Sequence, residues 1–282
     1  MKRFQYFKPQ SLHKAWRLKR EWPDALFIAG GTDLMVQIKN RELSPPVLIS
    51  LRSIAELIGI EAGQTSRIGA LTTISDISQH PELAQKFPLL QEAARNLGSF
   101  QIRNVATIGG NLCNCSPSAD MALPLLVLEA KLKLQRPQGT RLIPVEELFK
   151  GPGKTCLSLD EILTDILLTQ LGQNSKSIFL KKGRVKMDLA IASLAVMLET
   201  EGKKCLKARL AAGSVAPVPL RLKEVEALLE GKLLTKDLIE KAQELAMKVI
   251  TPISDIRASR QYRRQILAVL IKRALEKLNS SH

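Results

Sequence analysis

The sequence predicts an α+β protein of two domains, and three observations carry that expectation. Strand-like runs and helical apolar stripes are interleaved along the 282 residues without sustained strand–helix–strand alternation, which argues against a doubly wound parallel sheet. Charge is unevenly divided: residues 1–172 carry 20 Lys and Arg against 16 Asp and Glu, whereas 173–282 carry 22 against 11. The polar run Gly172-Gln173-Asn174-Ser175 lies at that change and is the expected boundary between domains 1–172 and 173–282.

Taken in order, 4–7 reads as a short strand, and Ser11 as the N-cap of a helix toward Trp22 with Leu12 and Trp16 on one face. Residues 25–29 read as a buried strand and 33–39 as a helix whose first N–H groups face a ligand. Pro45-Pro46 breaks the pattern before a strand at 47–51. Strands are expected at 57–61 and 67–71, then a short helix capped by Thr72 or Thr73 and ended at His80 by Pro81. Pro88 opens a helix striped by Leu89, Leu90, Ala93, Ala94 and Leu97 and closed by Gly98. Alternation gives strands at 130–135 and 140–144, and 160–168 reads as extended. Beyond the boundary, 177–181 is a strand, 188–198 an apolar helix or strand and 206–215 a strand. Helices are expected over 221–229, 235–249 and 259–278.

Composition excludes several classes. Apolar residues at 45% and charged residues at 24% read as soluble and globular. No apolar core follows Lys2 and Arg3 before Lys8 and Pro9, and the longest clean apolar run, 121–128, contains Pro124 and is too short to span a bilayer. The expected compartment is the cytoplasm. A net charge of +15 invites a nucleic-acid reading, but the basic residues are scattered and aromatics are only 4%. A solvated or partner-facing basic surface is the expectation, with no nucleic acid bound. Cys113 and Cys115 are one residue apart with no histidine near them, a spacing unlike structural zinc sites. They read as buried or ligand-adjacent free thiols, and no metal ligand set is expected.

Two stretches share one design. Phe27-Ile28-Ala29-Gly30-Gly31-Thr32-Asp33-Leu34 and Val105-Ala106-Thr107-Ile108-Gly109-Gly110-Asn111 each run from an apolar strand-like segment through two glycines into small polar residues. Adjacent glycines let backbone amides approach a ligand and form a concave nest for anionic oxygens. One such pair reads first as a tight turn; two point to loops gripping one extended, negatively charged ligand. Asp120, after Ser116-Pro117-Ser118-Ala119, either accepts from ribose hydroxyls or caps a helix over 121–128. Lys150-Gly151-Pro152-Gly153-Lys154-Thr155 is not a Walker loop, because Leu148 stands where the first glycine is needed. Neither doublet has the Rossmann spacing. With no acid–base constellation visible, a chain that grips a cofactor fits redox work.

Ala29-Gly30-Gly31-Thr32-Asp33-Leu34, the run from Gln101 to Asn111, and Ser116-Pro117-Ser118-Ala119-Asp120 together resemble the FAD-binding medium subunit of bacterial molybdenum hydroxylases, the xanthine and carbon monoxide dehydrogenase group. The segments Gly151-Pro152-Gly153-Lys154-Thr155, Asp160-Glu161-Ile162-Leu163, Ala216-Pro217-Val218-Pro219-Leu220-Arg221 and Ser254-Asp255-Ile256-Arg257-Ala258-Ser259 are similar too, so the likeness runs nearly end to end. It implies a vanillyl-alcohol-oxidase (PCMH) type FAD domain in subdomains of about 1–55 and 56–172, then a C-terminal antiparallel sheet covered by helices. By that resemblance, Phe27, Ile28, Ala29, Gly30, Gly31, Thr32, Asp33 and Leu34 hold the diphosphate with Thr107, Ile108, Gly109, Gly110 and Asn111. Asp120 contacts the ribose, and Ile162 and Phe179 lie near the adenine or flavin. The segment 181–190 borders the isoalloxazine, with Lys181 beside it and Leu189 near the reactive edge. Many members have lysine directly after the aromatic matching Phe179; here that residue is Leu180, followed by Lys181 and Lys182.

The resemblance further implies a heteromeric complex. A molybdopterin-binding large subunit performs hydroxylation, a [2Fe-2S] small subunit relays electrons, and this chain passes them through FAD to NAD+ or another acceptor. The alternative is a stand-alone FAD-dependent reductase on the same cofactor fold, as in cell-wall precursor reductases. That alternative needs a substrate acid in the C-terminal domain, and none is evident.

Overall fold

A computed structural model describes residues 1–169, 172 and 175–280. Gln173 and Asn174, where the sequence places the domain boundary, lie outside the described residues.

The first sheet has three parallel strands in the order Gln5–Phe7, Val47–Ser50, Leu26–Ile28. Its central strand is buried throughout, as a strand with neighbours on both edges and cover on both faces must be. Helix Leu12–Glu21 covers one face, started by the Ser11 hydroxyl accepting from Lys14 N at 3.3 Å. Leu12 and Ala15 pack there against Val47 and Ile49.

The second sheet is antiparallel, in the order Ile60–Glu61, Thr65–Gly69, Ile162–Thr169, Lys131–Arg136, Gly139–Pro144. Helices Ile74–Gln79, Pro88–Asn96 and Ala122–Val127 share its main core. Two further helices around this core were not expected. Pro81 does not only end the preceding helix; it is the first residue of another, Pro81–Lys86, for which its fixed φ is suited and its missing N–H costs nothing. Phe100–Arg103 forms a single turn capped by Ser99. Phe149–Gly151 and Lys154–Thr155 make a small hairpin around Pro152-Gly153.

The C-terminal sheet is antiparallel, Ser175–Lys182, Ala192–Glu201, Lys204–Gly213 and Leu220–Arg221 in order. From Ala192 onward the ambiguous segment 188–198 therefore resolves as a strand, and 188–191 lead into it. Helices Lys223–Leu229, Lys236–Val249 and Arg260–Ser280 follow it. Side chains alternate between two cores, as the period of a strand requires. Ile178, Leu194, Val196, Leu210 and Ala212 face these helices. Phe179, Ala195, Met197 and Ala211 face the opposite way and complete the core of the second sheet. Among the described residues, no helix is long and apolar enough to cross a membrane.

Candidate functional site

The two glycine doublets lie against each other, but they do different work. Gly30 packs on the backbone before the second doublet: a Cβ there would stand 2.2 Å from the Val105 carbonyl oxygen. Gly31 has φ +76°, which an L side chain rarely adopts. The amides of Gly30, Gly31, Thr32, Asp33 and Leu34 have no protein acceptor among the described residues, and Asp33 does not cap the helix Leu34–Lys39 that follows. This first loop therefore offers a run of open donors, with the Thr32 hydroxyl turned to Asp33 at 3.3 Å.

The second doublet is not a strand-to-turn segment, contrary to expectation. Thr107 is an N-cap and Ile108–Cys113 is a helix. Its amides are spent inside the protein: Ile108 N donates to Thr72 O at 3.1 Å and Gly109 N to Ala70 O at 2.8 Å. Gly110 N donates to Thr107 Oγ1 at 3.1 Å and Asn111 N to Thr107 O at 2.9 Å. No nest forms there. The glycines instead permit close approach, since a Cβ on Gly109 would stand 2.7 Å from both the Cβ and the carbonyl oxygen of Ala70.

Between the loops opens a cavity of about 620 Å³, within the range of roughly 300–1,000 Å³ usual for ligand sites. It collects all eight residues from Phe27 to Leu34, together with Thr107, Gly109, Gly110 and Asn111. Asp120, Ile162, Lys181 and Leu189 line it as well. Two expected residues do not. Ile108 is fully buried behind the glycines, and Phe179, 2% exposed, is consumed by the core on its face of the strand. Its amide donates to a Glu92 carboxylate oxygen at 2.9 Å.

Strand parity also explains Leu180. It packs with the C-terminal helices, on the far side of the sheet from the cavity, so a lysine there would not reach in. Lys181, on the same face as Phe179, does: its ammonium donates to Asp120 Oδ2 at 2.5 Å and to Asn96 O at 3.2 Å. Both partners are buried. Lys182 is exposed. Asp120 does not cap the next helix, which begins at Ala122 with Met121 at the N-cap. Burial pushes the Asp120 carboxyl above the usual carboxylate range, against the charge and hydrogen bond of Lys181. Its second oxygen, Oδ1, is buried without a partner, an orphan acceptor on a cavity-lining residue. Such an atom calls for a donor from a ligand.

The far wall is braced. Arg141 grips Glu161 in bidentate fashion, Nε to Oε1 at 2.7 Å and an η nitrogen to Oε2 at 2.8 Å, and Ser158 N adds a bond at 3.2 Å. The Arg141 hydrogen bonds hold Glu161 below the usual range despite its burial. Ile162, next in sequence to Glu161, lines the cavity. At the rim, Met187 and Leu189 are exposed, Leu189 by 57%. All four cysteines are free, and Cys113 lines the cavity; burial, then the neighbouring Cys115 and Cys156, push its thiol up to about 12.

Leu97, Gly98 and Ile102 also line the cavity and escaped the sequence reading. Leu97 and Gly98 read as the close of a helix, and nothing local distinguishes a helix end beside a ligand from one beside solvent.

A family model described as "FAD binding domain in molybdopterin dehydrogenase" matches residues 2–169, and one described as "CO dehydrogenase flavoprotein C-terminal domain" matches 177–278. The chain is 33% identical over 276 residues to the glyceraldehyde dehydrogenase medium chain of Sulfolobus acidocaldarius, covering 98% of each. It is 31% identical over 274 residues to the xanthine dehydrogenase FAD-binding subunit of Escherichia coli O157:H7, covering 96% of this chain and 94% of that one. Among solved structures, a chain of carbon monoxide dehydrogenase from Hydrogenophaga pseudoflava superposes with a TM-score of 0.95 at 33% identity, over 98% of this chain and 96% of that one.

Proposed function

Because the chain belongs to the family of FAD-binding medium subunits of xanthine and carbon monoxide dehydrogenase type molybdenum hydroxylases, a group of oxidoreductases, we propose that it carries electrons from a [2Fe-2S] subunit to NAD+ or another acceptor. A separate molybdopterin-binding large subunit performs the hydroxylation. The observation that carries this reading is the convergence, on one cavity, of five open loop amides and the orphan Asp120 oxygen.

FAD fits these residues. The amides from Gly30 to Leu34 suit a diphosphate, since successive N–H groups bind anionic oxygens without a charged side chain. Asp120 Oδ1 would accept from a ribose hydroxyl, while Lys181 keeps Oδ2 occupied and the carboxylate oriented. Gly109 and Gly110 let the helix behind the loop approach closely. Leu189 and Met187 stand at the solvent rim of the cavity. When bound, FAD supplies the exchange between one-electron iron–sulfur centres and two-electron acceptors.

The chain co-expressed with its companion subunits tests this. Retained flavin, bleached by the organic substrate under anaerobic conditions and restored by NAD+ or another added acceptor, is the expected result. A complex that turns over without flavin, or an isolated chain that turns over a substrate of its own, would overturn it.

A further inference from the structure

We propose that the connection 251–259, together with the cavity-rim loop 183–189, forms one docking surface for a companion subunit whose facing side is an apolar pocket edged by carboxylates. This rests on the electron-transfer reading above and names the face through which the assembly is made.

Ile256 is 97% exposed, the most exposed large apolar side chain among the described residues, and Ile253 is 65% exposed. Neither sits on a slack loop. Between them, Asp255 Oδ1 accepts from Arg257 N at 2.9 Å, Ala258 N at 3.2 Å and an Arg263 η nitrogen at 2.7 Å. Its Oδ2 accepts from the Arg257 side chain at 3.0 and 2.7 Å. Asp255 thus holds the backbone beside Ile256 in place, so docking has less loop freedom to remove.

The two loops share one footing. Arg263, 1% exposed, donates through one η nitrogen to Asp255 and through the other to Ile191 O at 2.7 Å and Ser214 O at 3.1 Å. The η nitrogens of a guanidinium are neighbours, so Ile191, at the base of the rim loop, lies beside Asp255. Val185, Met187 and Leu189 on the rim loop are exposed as well. Both loops are thus tied to a single buried arginine, and the rim loop also supplies Met187 and Leu189 to the cavity lining.

Charge chooses the occupant. Lys182, Arg184 and Lys186 lie on or beside the rim loop, and Arg257 and Arg260 on or beside the connection. The acids in these segments, Asp188 and Asp255, are paired with Arg184 and with Arg257 and Arg263, so among the described residues Lys182, Lys186 and Arg260 carry the uncompensated charge of this face. A second copy of this chain would set these cations against their own kind, whereas a carboxylate-edged partner is attracted and correctly registered.

Ile256→Asp and Ile253→Asp, in the chain co-expressed with its companion subunits, test the surface. The expected result is at least tenfold weaker assembly by size-exclusion chromatography, with flavin per chain and the urea midpoint of the isolated chain unchanged, and assembly kept by Ile256→Leu. Arg260→Glu should slow association and flatten its salt dependence. Normal assembly of Ile256→Asp would overturn this proposal alone; failure of the unaltered chain to assemble would overturn it together with the electron-transfer reading. A dimer of the unaltered chain abolished by Ile256→Asp, or sedimentation with phosphatidylserine vesicles so abolished, with heteromeric assembly intact, would also overturn it.

Discussion

The α-carbon of Gly30 is pressed so closely to the carbonyl of Val105 that a methyl group on it would stand 2.2 Å from that oxygen. The contact is backbone to backbone, so no side-chain rotation relieves it. Gly30→Ala is expected to pry the two loops apart, costing about 1–3 kcal/mol as overpacking does. It should also empty the cofactor site. Urea unfolding and the flavin-to-protein absorbance ratio measure both, and a stable, fully yellow variant would contradict the arrangement.

The pair of Lys181 and Asp120 is buried on both sides. Removing one member strands the other, at a cost of about 3–5 kcal/mol. Asp120→Asn should therefore destabilise the chain strongly, and adding Lys181→Met should restore most of the loss. Chemical unfolding of both single variants and the double variant gives the coupling directly; additive losses would count against it.

Cys113 lines the cavity, and burial favours its protonated thiol. With its thiol pushed up to about 12, roughly one molecule in ten thousand is a thiolate at pH 8. Native-state alkylation at pH 8, read by peptide mass spectrometry, should leave Cys113 unmodified over times that consume an exposed thiol.

Asp255 predicts the acid limb of stability. Burial opposes its ionisation, but the Arg257 and Arg263 side chains and the backbone amides of Arg257 and Ala258 outweigh that and hold the carboxyl well below the usual range. A depressed folded value adds stability that is complete above the unfolded value of about 3.9 and is lost as pH falls below it. Asp255→Asn should thus lower the urea midpoint at pH 7 and lose less than the parent on going to pH 3.

Much of this protein was legible in the chain itself. Ser11, Thr73 and Thr235 announce helices because a hydroxyl at the N-cap satisfies an amide that the helix cannot. The glycine doublets marked the walls of the cavity, and every residue from Phe27 to Leu34 lines it. What the chain did not disclose was how each doublet is used. A free amide and one bonded to Ala70 or Thr72 read identically in one dimension, since the acceptors lie some forty residues away. For the same reason the expectation of a second strand-to-turn segment gave way to a helix, and Pro81 proved to begin one.

Residue types, their spacing and their alternation by themselves determined the α+β class and marked the two glycine-rich stretches, because those properties are local or periodic; the family was legible only through the likeness of whole motifs. Only the tertiary structure decided that Phe179 belongs to the core while Lys181 enters the cavity, and that Ile108 stands behind its glycines. It alone joined Asp120 to Lys181 and set Arg263 beneath two exposed loops. Each depends on which face of a strand meets which neighbour, and that is fixed by long-range packing rather than by the residues adjacent in sequence.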